Sequence, residues 1–277
     1  MISGVQVRNG NKTVPATLGQ LETQLLAYAH MRRRSSVHSE EVAASLGITA
    51  TQTRELLSRL SRRNLITRVR RGLYLVPPRI PPGGRWSPDE FLALKTLMED
   101  RAGQYQICGP SAFHRYGWDE QVPNRMDVYN SVLSGQRKIG SAAFVLIKVA
   151  ATRLGDTEVF QTPEGIEVVY SSRVRTLVDA VYDWSRFGSL PRAYGWIRTE
   201  LTRDPRAAAA ITSAAVRYGN TSTLRRLGKL FELAGVNKSL LNKFDRALPK
   251  TTALIPWCPT RVKRGTTDLR WGVVFNE

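Results

Sequence analysis

Residues 47–77 read GITATQTRELLSRLSRRNLITRVRRGLYLVP, and their reading decides the fold of the first third of the chain. Gly47 suits the left-handed end of a helix. Thr49 and Gln52 form a Thr-x-x-Gln capping box that opens a helix running to about Asn64. Leu56, Leu57 and Leu60 fall on one face of it, at helical spacing. From Ile66 onward the period changes to that of β-structure. Ile66–Val69 and Leu73–Val76 are strand-like, joined by a turn through Arg70, Arg71 and Gly72. A capped helix followed by a basic hairpin is the second half of a winged helix-turn-helix.

The residues upstream complete it. Leu18 to Met31 has Leu21, Leu25, Leu26 and Ala29 on one side, a helix that ends in Arg32, Arg33 and Arg34. Ser39 is a candidate N-cap for a second helix ending at Leu46, with Glu40 and Glu41 in its first turn. Residues 1–17 are polar and turn-rich and read as a flexible arm. The winged helix is thereby assigned to residues 18–76. A Pro/Gly linker comes next at 77–88, PPRIPPGGRWSP, where prolines remove donors and glycines loosen the backbone.

Residues 89–277 read as an α+β domain ending in a mainly helical part. A helix from Pro88 to about Arg101 comes first. Short strands are expected at Gln104–Cys108, Asp127–Tyr129, Ala143–Lys148, Glu158–Gln161 and Ile166–Tyr170, and a short helix at Ser111–Tyr116. Helices are expected at 173–184, 189–201, 206–218 and 221–234, and a closing strand at Leu269–Phe275. The fold class is therefore α+β throughout, a winged helix-turn-helix followed by a mixed domain.

Charge points to the partner. The chain has 277 residues, with 41 Lys and Arg against 23 Asp and Glu, a net of +18. The two ends are basic and the middle is close to neutral. A surplus of this size favours an acidic partner, most often nucleic acid. On the third helix the face opposite the leucines carries Thr51, Glu55, Ser58 and Arg62, flanked by Arg54 and Arg59. Such a face fits the major groove of duplex DNA. Thr51, Gln52, Arg54 and Glu55 are the candidates for base edges, with Ser58 beside them. Arg59, Arg62 and Arg63 are the candidates for phosphates, and Arg68, Arg70 and Arg71 at the wing for phosphates or a narrow minor groove.

Other chemistry is thinly supported. Gly140-Ser141 resembles a nucleotidyltransferase turn, but no paired carboxylates follow it. Glu167 is followed by valines, not by the lysine of a metal nuclease. Asp179 and Asp183 read as helix-surface residues or ion-pair partners of Arg175. Catalytic residues, metal ligands and cofactors are not expected. Cys108 and Cys258 show no paired spacing and read as free core thiols in a reducing compartment. No run is long enough to span a membrane, and a cytoplasmic location is expected. Arg225, Arg226 and Lys229 fall on one side of a helix whose other side is apolar, an expected basic face for a partner.

Four stretches resemble the AbiEi antitoxins of abortive-infection toxin–antitoxin systems and their transcriptional-regulator relatives. They are Arg71-Gly72-Leu73-Tyr74-Leu75-Val76-Pro77, Gly109-Pro110-Ser111-Ala112 with Gly117-Trp118, Arg175-Thr176-Leu177-Val178-Asp179-Ala180, and Arg226-Leu227-Gly228-Lys229-Leu230-Phe231-Glu232. The resemblance implies a winged helix that binds inverted repeats at its own promoter. It also implies a C-terminal domain that counteracts a nucleotidyltransferase-like toxin, for which Arg225, Arg226 and Lys229 are the candidate antitoxicity surface. The alternative is a stand-alone regulator with no toxin partner, and a third reading is a DNA-targeting enzyme with a winged-helix reader.

Overall fold

The computed structural model describes residues 18–79, 85–250 and 252–276. The arm at 1–17 and the centre of the expected linker, 80–84, lie outside the described residues. The fold is α+β, as the sequence predicts, in two compact units.

The first unit comprises the chain up to Asp100 together with Lys138–Ala142. It contains α1 (Gln20–Met31), β1 (Ser36–His38), α2 (Ser39–Leu46), α3 (Ala50–Arg62), β2 (Thr67–Arg70), β3 (Leu73–Leu75) and α4 (Glu90–Asp100). Leu25, Leu26, Ala29, Val42, Leu56, Leu57 and Leu60 close one core, with Val37 and Tyr74 from the sheet. Strand β1 has no counterpart among the expected elements. Three residues are too few to show a period, and it exists because β3 offers it an edge, with Ser36 opposite Leu75 and His38 opposite Leu73. Ser39 is the first residue of α2, and His38 takes the cap position.

The unit does not end at the proline-rich stretch. Helix α4 groups with the winged helix rather than with the sheet downstream. It packs on β2, and its last residue, Asp100, grips Arg70 of the wing through two hydrogen bonds, one of them Nε to Oδ2 at 2.6 Å. Prolines mark where regular structure stops, which is a different matter from where packing stops.

The second unit comprises Arg101–Arg137 and Ala143–Glu277. Its strands are β4 (Tyr105–Cys108), β5 (Met126–Asn130), β7 (Ala142–Lys148), β8 (Thr157–Gln161) and β9 (Glu167–Ser171). With β6 (Gly135–Ile139) they form a six-stranded mixed sheet in the order β6-β7-β5-β4-β9-β8. Strands β4 and β5 are joined by α5 (Gly109–Arg115), and α6 (Arg173–Tyr182) comes after β9. Helices α7 (Trp184–Phe187), α8 (Arg192–Arg203), α9 (Ala207–Tyr218), α10 (Thr221–Leu233) and α11 (Lys238–Ala247) complete the helical part. Three last strands, β10 (Ile255–Pro256), β11 (Thr266–Asp268) and β12 (Val273–Phe275), form a small sheet of order β10-β12-β11. Strand β6 and helix α11 are also absent from the expected elements. Gly135-Gln-Arg-Lys-Ile139 is polar because it is an edge, and α11 buries only Leu241 and Phe244.

Helix α6 carries the Arg-Thr-Leu-x-Asp segment, and it faces inward. Arg175 and Asp179 are both fully buried, with Arg175 Nε 3.0 Å from Asp179. The rest of the Arg175 fork donates to the carbonyls of Gly155 (3.1 Å) and Arg153 (2.8 Å), and its plane lies over the Tyr218 ring. Arg153 also donates to Asp179, Nη2 to Oδ1 at 2.8 Å. Asp179 is thus a partner of Arg175, but it is not on the helix surface. Burial raises the Asp179 carboxyl above its ordinary pKa, against the pull of the two guanidiniums.

The expected basic face on α10 is also overturned. Arg225 and Arg226 are buried, at 5% and 4% exposure. Arg225 donates to the Ala253 carbonyl, and Arg226 donates to the Pro256 carbonyl at 3.1 Å. Lys229 is held by Asp268 at 2.6 Å and Glu232 at 3.4 Å. Helical spacing places them on one side of α10, but the chain from 252 to 276 returns over that side. The three cations tie the last stretch of chain to the helix, and of the three only Lys229 stays part-exposed.

Gly228 has a packing reason. Fully buried Trp271 lies directly on its Cα, in the space a Cβ would take. Gly228→Ala should therefore destabilise by ~1–2 kcal/mol, although alanine is the better helix former by about 1 kcal/mol. A urea-unfolding midpoint at or above that of the unsubstituted chain would contradict this packing.

Candidate nucleic-acid interface

Gly47 takes a left-handed conformation (φ 62°), which lets α3 start at a steep angle after α2. The capping box is present. Thr49 accepts from the Gln52 amide at 3.2 Å, and Gln52 Oε1 accepts from the Thr49 amide at 2.9 Å. The Gln52 oxygen is therefore committed to the helix, and only its NH2 remains for a base edge. Thr53 is buried, its hydroxyl returned to the Thr49 carbonyl. Thr51, Arg54, Glu55, Ser58 and Arg62 are exposed along one face of α3.

Arg54, Ser58 and Arg62 of that face form one wall of a groove of about 850 Å3. The other walls are the start of α2, at Ser39 and Glu40, and the wing, at Arg68 and Arg71. A second, smaller concavity of about 380 Å3 lies between Arg54, Glu55, Ser58, Arg59 and Arg62. The structure thus brings Arg54, Ser58, Arg62, Arg68 and Arg71 to one concave surface and Glu55 and Arg59 to the smaller one beside it, whereas Thr51, Gln52, Arg63 and Arg70 lie outside both.

It also divides the seven arginines into two sets. Arg59 and Arg63 converge on Glu22 of α1, Nε to Oε1 at 2.8 Å and Nη1 to Oε2 at 2.7 Å. The Glu22 side chain is only 3% exposed. Burial would raise its pKa, but the Gly19 amide and the two guanidiniums outweigh this and hold it below its ordinary value. Arg70 is held by Asp100, whose hydrogen bonds raise the arginine's pKa. By contrast, Arg54, Arg62, Arg68 and Arg71 are exposed, and their side chains make no ion pair among the described residues. Those four line the larger groove.

Sequence reasoning missed Glu22 and Asp100. Glu22 had a signal, since it sits on the apolar stripe of α1 beside Leu25, Leu26 and Ala29. A carboxylate on a buried stripe implies a cationic partner. Asp100 had none, because nothing in sequence placed α4 against the wing. Among the described residues there is no group of three or more His, Cys, Asp or Glu placed to hold a metal ion, and no helix is long and apolar enough to cross a membrane.

No curated protein sequence matches the chain. Among solved structures it is similar to the crystal structure of the RV2827C protein from Mycobacterium tuberculosis, with a TM-score of 0.57 over 93% of this chain and 92% of that one. At 14% identity this likeness concerns the fold. Residues 24–77 match the family described as "Transcriptional regulator, AbiEi antitoxin". The matched stretch runs from α1 through the end of the wing and contains the whole groove-forming set. It is in its winged helix-turn-helix, therefore, that the chain matches the AbiEi antitoxin transcriptional regulators.

Proposed function

We propose that the chain is a sequence-specific regulator that binds duplex operator DNA and represses its own operon. The observation that carries this reading is the groove between α3 and the wing, lined by four arginines that have no ion-pair partner among the described residues. A cation left unpaired beside a concave surface is free to meet a phosphate, and a helix face of Thr, Gln, Arg, Glu and Ser has the donors and acceptors that base edges need. In this reading Thr51, Gln52, Arg54, Glu55 and Ser58 face bases. Arg62, Arg68 and Arg71 meet phosphates. Arg59, Arg63 and Arg70 fix the helix and wing in place, and operator half-sites form inverted repeats.

The test is selection from randomised duplexes. Arg54→Ala should lose preference at one base pair of each half-site, at about 1–3 kcal/mol for a bidentate contact. An unchanged sequence preference would remove Arg54 from the base-reading set.

The second unit, in the same proposal, counteracts a nucleotidyltransferase-like toxin encoded beside it. The resemblance of the Arg-Thr-Leu-x-Asp and Leu-Gly-x-Leu helices supports this. Burial of Arg225 and Arg226 argues against Arg225, Arg226 and Lys229 as the surface that does so. Co-expression with the neighbouring toxin separates the two readings: rescue supports an antitoxin, whereas operator repression without rescue describes a stand-alone regulator.

A further inference from the structure

Helices α9 and α11 leave a groove of about 540 Å3 between them on the second unit. Its floor is apolar for a structural reason. Thr212 and Ser213 turn their hydroxyls back to the Ala208 and Ala209 carbonyls, at 2.7 and 3.0 Å. What remains is Ala247 and Val216, the latter 44% exposed. Around this floor stand Arg217, Lys243 and Arg246, all exposed and without an ion pair among the described residues.

The occupant must match both features. A phosphodiester chain satisfies the cations but has nothing to place on the floor, and the hydroxyls that would hold its oxygens are already committed. An apolar side chain flanked by carboxylates satisfies both.

The chain itself carries such a surface. Between Arg153 and Arg173 there are four acidic residues, Asp156, Glu158, Glu164 and Glu167, and no basic one. They lie on the β8–β9 hairpin, with β8 at the edge of the six-stranded sheet. Glu158 is engaged with Tyr116 and the Arg173 amide, but Asp156, Glu164 and Glu167 are exposed. On the outer face Val159 is 59% exposed and stands opposite Val169, with Gln161 opposite Glu167 beside them. An exposed valine with Glu167 beside it and Glu164 in the adjoining turn, on one side of the unit, complements an exposed valine among three cations on another.

We propose that this chain associates head to tail, the β8–β9 edge of one copy seating on the α9–α11 groove of the next. The two surfaces differ, so the contact is heterologous and leaves a free groove at one end and a free hairpin at the other. It adds copies in a row rather than closing a two-fold dimer. The contact does not depend on the DNA-binding reading and is tested without DNA.

Cysteines are introduced singly at Val159 and Val216, since both native cysteines are buried and free. With a short bis-maleimide, Val159→Cys mixed with Val216→Cys should give a cross-linked pair, and neither should cross-link to itself. The double variant should give a ladder. Charge reversal in the groove (Arg217→Glu, Lys243→Glu, Arg246→Glu) should cut the yield by about tenfold, equivalent to ~1.4 kcal/mol. Reversal on the hairpin of the partner copy (Asp156→Lys, Glu164→Lys, Glu167→Lys) should restore it, which a misfolded variant cannot do. Absence of cross-links overturns the proposal. So does self-linking of Val159→Cys, which would mean edge-to-edge strand pairing. A groove reversal that lowers DNA affinity while leaving the cross-link intact would make the groove a phosphate site and overturn it likewise.

Discussion

Alanine at Arg54, Arg62, Arg68 and Arg71 together should flatten the salt dependence of DNA binding by roughly 0.9 in the log–log slope for each phosphate no longer neutralised. With Arg62, Arg68 and Arg71 on phosphates and Arg54 on a base, the slope becomes shallower by about 3 and affinity at low salt collapses. The counterpart is the pair Arg59→Ala and Arg63→Ala. These arginines are equally basic and lie at the same helix, but they are tied to Glu22. Their loss leaves a buried carboxylate without its cations, which costs about 1–3 kcal/mol of stability. It should barely change the slope measured on the folded fraction. Fluorescence anisotropy over a salt series distinguishes the two sets. A quadruple variant that keeps the full slope would show that the groove is not where phosphates lie.

The largest stability effect should come from Arg175. Replacing it by leucine leaves Asp179 fully buried with Arg153 alone, and strands the Gly155 and Arg153 carbonyls. Breaking a buried pair from one side costs about 3–5 kcal/mol. Arg175→Lys should rescue little, because an ammonium cannot span two carbonyls and a carboxylate from one plane. Removing both charges, Arg175→Met with Asp179→Leu, should recover part of the stability. Urea unfolding of the second unit reads all three. If Arg175→Leu unfolds at the same denaturant concentration as the unsubstituted chain, the network does not hold that unit together.

The first unit was legible where local signals agreed. The α3 capping box, the leucine stripe and the change of period at Ile66 each name the same structure, and α2, α3 and the wing stand where they place them. What escaped was whatever depended on a remote partner. Three-residue β1 exists only beside β3, and α4 joins the wing by packing on β2 and through the Arg70–Asp100 pair. The α10 cations illustrate the opposite error. Amphipathic spacing identifies a polar side of a helix correctly, yet it cannot tell water from carbonyls of a returning chain. Burial of Arg225 and Arg226 was invisible because their partners lie 28 and 30 residues downstream.

The Arg70–Asp100 clamp bears on how this protein could be recombined. The proline-rich stretch looks like the natural seam for exchanging DNA-reading modules between relatives. A cassette cut there would carry the wing away from the residue that grips it, leaving Arg70 without its ion-pair partner. A junction after Asp100 keeps that clamp within the exchanged piece, although Lys138–Ala142 of the same unit would still come from the recipient.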